Sequence, residues 1–238
     1  MEPKVNTAVG SGRFAGLLWF LGAATAGFSL VYVRPHILVS GDAAATVANM
    51  IAFEPLFRAG IVSMILSHLF LMFFGLAIFS IFQNVDKPLA TVCLLALLVG
   101  GGIGILNSTY NLGAITLVTN PDYTQSLQPG QLNTIASVLL RMNNFGIGLV
   151  EIFTSIFLFS LGLLVLRSKY MPAAMGFLLL AGSFGFPLNT FTKILVPGFY
   201  PNIFTQLAML GGALGGAIPM FWLLIMGTKR LFGVEAQT

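Results

Sequence analysis

The sequence predicts an all-α fold: a polytopic membrane helical bundle with six transmembrane helices and a short interfacial helix on its outer surface. Charge, hydropathy and run length each point that way. Only 8% of the 238 residues are charged, 11 basic and 7 acidic, and 57% are apolar, whereas a soluble domain carries about 25% charge to keep its surface wet. Mean hydropathy is +0.93. The apolar residues gather into six runs, and a hydrocarbon core of about 30 Å takes about 20 apolar helical residues to cross.

Spans are expected at 14–33, 57–82, 89–119, 131–167, 172–196 and 203–227, all within one domain. The third and fourth are long enough to tilt strongly or to project beyond the bilayer. Pro35 and Pro55, Pro88, Pro121 with Pro129, Pro172, and Pro197 with Pro201 stand between the runs, where a residue with no N–H can end a helix. Pro187 and Pro219 fall inside runs and are expected to kink them. Ala24-Thr25-Ala26 resembles a signal-peptide cleavage site, but the apolar run continues to Val33. That is longer than a signal core, so the segment is read as a span. Between the first two spans Asp42 is a natural N-cap, and Val47, Met50 and Ile51 share one helical face. This segment, 42–54, is the expected interfacial helix, closed by Pro55.

The basic residues set an orientation. Lys4, Arg13, Lys87, Arg167, Lys169, Lys229 and Arg230 collect on one side, against Arg34, Arg58 and Lys193 on the other. Both termini are therefore expected in the cytoplasm, and six spans put them on the same side. The same inventory excludes several chemistries. The single cysteine, Cys93, cannot build a disulfide framework or a thiolate zinc cluster. Two histidines, His36 and His68, cannot build a His-rich metal site. There is no glycine-rich phosphate loop and no block of basic residues for nucleic acid. No metal, cofactor or nucleic-acid partner is expected.

Polar groups inside a span are costly, which makes each a functional candidate. In the fourth span Thr134, Ser137, Arg141, Asn144, Gly148, Glu151, Ser155 and Gly162 recur at helical spacing. They form one stripe, expected to face the bundle interior. The third span repeats the spacing with Asn107 and Asn111, the fifth offers Asn189, and the second offers Arg58 and His68. At about 1.5 Å per residue, Glu151 stands roughly 24 Å above Arg167, and His68, Asn189 and Asn107 fall at roughly 22–28 Å in their own spans. All four belong to the outer half, with Arg141, Asn144 and Arg58 at the outer boundary. The expected architecture is an outward-facing polar cup above an apolar floor, with the 42–54 helix as a lid. Its candidate ligand-binding residues are Glu151, Arg141, Asn144, His68, Asn107, Asn111 and Asn189. No catalytic residue is assigned.

Each candidate also has a plain structural reading. Glu151 can pair with Arg141 or His68 simply to fix helix rotation. His68 can be a packed histidine on an apolar helix, and Arg58 can pair with Glu54 at i,i+4. Asn107 and Asn111 can be interhelical glue. The glycine pairs 100/104, 211/215 and 212/216 allow close helix approach.

Gly41-Asp42-Ala43-Ala44-Ala45-Thr46, then Ala48-Asn49, Phe57-Arg58 and Gly60, resemble a bacterial membrane family known as domain of unknown function 4386. Leu166-Arg167-Ser168, Tyr170, Pro172 and Gly176 continue the resemblance over most of the chain. It implies a multi-pass protein of the bacterial cytoplasmic (inner) membrane with no assigned reaction. It also implies a histidine near Phe157 in the fourth span, where this chain has none.

Three functions fit these features. The first is binding or transport of a small amphipathic or lipid-like molecule, its head held by Arg141, Asn144 and Glu151. The second is an intramembrane enzyme using Glu151 and His68 for proton transfer. The third is a structural or partner subunit, docking on a membrane protein or on a second copy through its glycine-rich faces. Membrane lipids are expected partners in every case.

Overall fold

The computed structural model describes residues 3–228, and every regular element among them is helical. The order is α1 (Pro3–Gly27), a π-helical segment (Phe28–Val33), α2 (Arg34–Ile37), α3 (Ala43–Ala52), α4 (Glu54–Phe82) and α5 (Lys87–Thr119). There follow α6 (Pro121–Thr124), α7 (Pro129–Ser168), α8 (Ala173–Ser183), α9 (Gly185–Leu195), a 3-10 turn (Pro197–Phe199) and α10 (Ile203–Met226). Six helical stretches are long and apolar enough to cross a membrane: Ser11–Ile37, Glu54–Phe82, Lys87–Thr119, Pro129–Ser168, Ala173–Leu195 and Ile203–Met226. The chain is a multi-pass membrane protein. Lys229 and Arg230, which enter the orientation reading, lie outside the described residues.

Three prolines act differently from expectation. Pro35 does not end the first span, which runs on to Ile37. Proline has no N–H to donate four residues back. The helix has already widened before it, with the Arg34 N–H bonding the Ser29 carbonyl five residues back. Pro55 does not close the short helix, which ends at Ala52; it sits instead in the first turn of α4, where a missing N–H costs nothing. The fifth span is two helices, broken at Phe184. Pro187 leaves the Ser183 carbonyl without its usual donor, and the chain parts one residue later. Pro219, by contrast, is carried inside α10 without interrupting it.

The short helix α3 has the cap its sequence foretells. Asp42 Oδ1 accepts the Ala45 N–H at 2.8 Å, and Gly41 turns the chain with a φ of 80°. Val47 and Met50 are buried, but Ile51, expected beside them, is exposed. Asp42→Ala is expected to destabilise α3 by about 1 kcal/mol, read as faster hydrogen exchange confined to the 43–52 amides.

The chain forms two compact units. The first comprises Met1–Phe20, Phe70–Gly100 and Gly148–Thr238. Its core centres on Trp19, stacked on Phe74 at 5.0 Å and edge-on to Phe157 at 5.5 Å, with Phe82, Leu164, Leu179 and Leu223 fully buried around them. Glycines bring its helices together. Gly215 of α10 meets Gly182 and the Leu178 carbonyl of α8, and Gly185 meets the Ala208 carbonyl. On α1, a side chain at Gly12 or Gly16 would strike backbone near Gly227 or Leu224.

The second unit comprises Leu21–Leu69 and Gly101–Ile147. Val33, Ile37, Met50, Ile61, Ile115 and Ala136 make its core. Ser63 and Ser67 of α4 donate to the Thr25 and Gly22 carbonyls at 2.8 and 2.7 Å, tying α4 to the first span with hydrogen bonds that hydrocarbon cannot replace.

Candidate functional site

The second unit holds a cavity of about 770 Å³ between the 34–46 segment and α7. Two arginines line it. Arg34 reaches it because α2 continues the first span past the π-helical segment, and its Nη2 donates to Asn144 Oδ1 at 3.1 Å. Arg141 stands one turn before Asn144 on α7. Its side chain is exposed in the cavity and has no hydrogen-bond or ion-pair partner among the described residues. Ser137 and Thr134 continue the α7 stripe from Arg141 toward the start of the helix. Leu38, Val39, Val138, Leu140 and Phe145 supply apolar wall.

Asp42 is the one carboxylate on this wall, and one of its oxygens is committed to capping α3. The Thr46 hydroxyl ties the same loop together, accepting the Val39 N–H at 3.0 Å and donating back to the Asp42 carbonyl at 2.8 Å. The lining therefore carries a net positive charge, with an uncommitted guanidinium beside greasy side chains. A guanidinium presents its N–H groups as a fork that matches carboxylate or phosphate oxygens.

In the first unit Glu151 makes a separate cluster. Its Oε2 accepts from Asn189 Nδ2 at 3.0 Å and from Thr190 Oγ1 at 2.7 Å. Thr190 Oγ1 also lies 3.1 Å from the Gly148 carbonyl. Asn189 and Thr190 are buried, and Gly148 admits them because a side chain there would press on Thr190. An acidic group at a helix centre in the bilayer costs about 2.5–3.5 kcal/mol, and hydrogen bonds to a charged group return about 1.5–3 kcal/mol each. Glu151 has no cationic partner among the described residues.

The remaining expected site residues meet other neighbours. Asn107 Nδ2 donates to the Asn143 carbonyl at 2.9 Å, and Asn143 Nδ2 donates to the Asn107 carbonyl at 3.0 Å. This reciprocal clasp joins α5 to α7, and Asn107 Oδ1 fills the space over Gly146. It is the glue reading of Asn107. His68 lays its ring against Gly104, where any Cβ would collide with it. Its Nδ1 is buried with no hydrogen bond. Asn111 is half-buried and joins none of these contacts. Arg58 pairs with Glu54 at 2.7 Å, the i,i+4 pair expected from sequence.

Arg34 and Thr190 are not among the candidate site residues that the sequence marks. The sequence marks Arg34 only in the charge count of one side, and in the fifth span it marks Asn189 rather than Thr190. An arginine next to a proline that fails to stop its helix is a signal only once the widened turn is seen.

No curated protein and no solved structure matches the chain. A family model described as "Domain of unknown function (DUF4386)" matches residues 14–227, nearly the whole apolar region from the first span to the last, and the chain belongs to that family.

Proposed function

We propose that the protein binds a small amphipathic molecule with an anionic head, lipid-like in character, in the cavity between Arg34 and Arg141. The observation that carries this reading is the unpartnered Arg141 guanidinium in a cavity of about 770 Å³, a size that suits a small ligand. Arg34 and Asn144, already bonded to each other, form the fixed side of the seat, and Arg141 is the group left to engage the head. Phe145, Val138 and Leu38 receive the tail. Glu151 is not part of this seat, which departs from a head group held by Arg141, Asn144 and Glu151 together. The excess of Lys and Arg in one set of connectors supports a placement in a bacterial inner membrane with both termini in the cytoplasm.

The test is thermal unfolding of the purified protein in mild non-ionic detergent. An alkyl phosphate and an alkyl carboxylate are compared with an uncharged alkyl glycoside of equal chain length. The anionic amphiphiles are expected to raise the melting temperature in a saturable way. Arg141→Ala is expected to weaken their apparent affinity about tenfold, or about 1.4 kcal/mol. Equal responses from Arg141→Ala and the parent would contradict the assignment.

A further inference from the structure

We propose that Glu151, Thr190 and the Gly148 carbonyl form a proton-exchange site within the membrane-spanning part of the chain, separate from the anion seat. The inference starts from the hydroxyl of Thr190. It lies within hydrogen-bond distance of two acceptors, Glu151 Oε2 at 2.7 Å and the Gly148 carbonyl at 3.1 Å, yet it has one hydrogen to give. Two complete bonding arrangements follow. With Glu151 ionised, Thr190 donates to the carboxylate. With Glu151 protonated on Oε2, the new O–H donates to Thr190 Oγ1, and the Thr190 hydrogen turns to the Gly148 carbonyl. Each arrangement satisfies both Glu151 Oε2 and the Thr190 hydroxyl, so adding or removing one proton there needs only a hydroxyl rotation. Asn189 Nδ2, at 3.0 Å from the same oxygen, donates in both.

Among the described residues, the charges of the same unit leave Glu151 to this chemistry. Arg13 bonds the Ile225 carbonyl and Arg167 pairs with Asp86. Lys87 begins α5, and Lys169 follows the end of α7. Lys193 is the one charged residue of α8, α9 and α10, and it is engaged with another partner. A carboxylate with a cation in contact would stay ionised as a structural pair; one held by a hydroxyl and an amide can exist in either form. The switch also has a mechanical consequence. Thr190 belongs to α9, the half-helix beyond the break at Phe184, so protonation reverses the bond between Glu151 and α9 and adds one from α9 to the backbone of α7.

The experiment is pH-difference infrared spectroscopy on the full chain in lipid vesicles, reading the carbonyl stretch of a protonated carboxylic acid. The parent is expected to show, at low pH, a component of that band that is lost as pH rises and that Glu151→Gln lacks, the other carboxylates cancelling in the difference between the two proteins. Thr190→Val is expected to keep the band at a shifted frequency and pH midpoint, with Thr190→Ser restoring the parent values. Size-exclusion profiles check that each variant is folded. A Glu151 band at every pH, or none at any pH, would overturn the proposal. So would a band displaced by sodium ion at fixed pH, which would make this an alkali-cation site.

Discussion

Gly215→Val is expected to leave little or no folded protein in the membrane. A Cβ at this position would lie 2.7 Å from the Leu178 carbonyl oxygen and 2.8 Å from the Gly182 Cα. Both are backbone atoms, so no rotamer change can relieve the contact; α10 and α8 must separate. Overpacking of a well-filled site costs about 1–3 kcal/mol and sometimes more, and separating two helices along a shared glycine contact belongs at or above the top of that range. The measurement is the melting temperature and monodispersity of the variant in mild detergent. Gly211→Val is the matched control, because nothing stands within 4 Å of its Cβ position. Near-parent behaviour is expected of Gly211→Val and failure of Gly215→Val. The contrast separates helix packing within this chain from docking on a partner. Gly212 faces Phe186 and Gly215 faces α8, so the inner glycines of this face are already used.

Gly104→Ala is expected to destabilise the protein by about 2–3 kcal/mol, and almost all of that cost should vanish in a His68→Ala background. The added methyl would fall inside the space of the His68 imidazole, and the ring, 7% exposed, has little room to leave. A double-mutant cycle reads the coupling directly, since residues in contact are where additivity fails. A large coupling energy identifies His68 as a packing residue fitted to a glycine. Additive effects would mean the ring is not lodged there, and a chemical role for His68 would return to consideration.

These outcomes bear on how much of the molecule was legible in its sequence. Membrane helices announce themselves through continuous apolar runs, so their number and approximate bounds could be read, as could the Asp42 cap and the Glu54–Arg58 pair, which depend on neighbours three or four residues away. Departures came where a helix bends its own rules. Pro35 looks like a stop, yet the widened Phe28–Val33 segment carries the helix through it and delivers Arg34 to the cavity. Pro187 looks like a mild kink, yet the helix parts at Phe184. The polar stripe of α7 could be read from helical periodicity, but periodicity places residues on a face without naming what meets them. Asn144 meets Arg34 and Arg141 lines the same cavity as the α3 loop, whereas Glu151, farther along the same stripe, meets Asn189 and Thr190. Asn107 clasps Asn143 and His68 lies against Gly104, neighbours that their own spans do not announce.

Native mass spectrometry of the protein released from mild detergent tests the anion seat most directly. One discrete anionic amphiphile per chain is expected on the parent, and its loss from Arg141→Ala with bulk lipid adducts unchanged. The same heterogeneous lipid on both proteins, with no discrete adduct on the parent, would contradict a ligand site between Arg34 and Arg141.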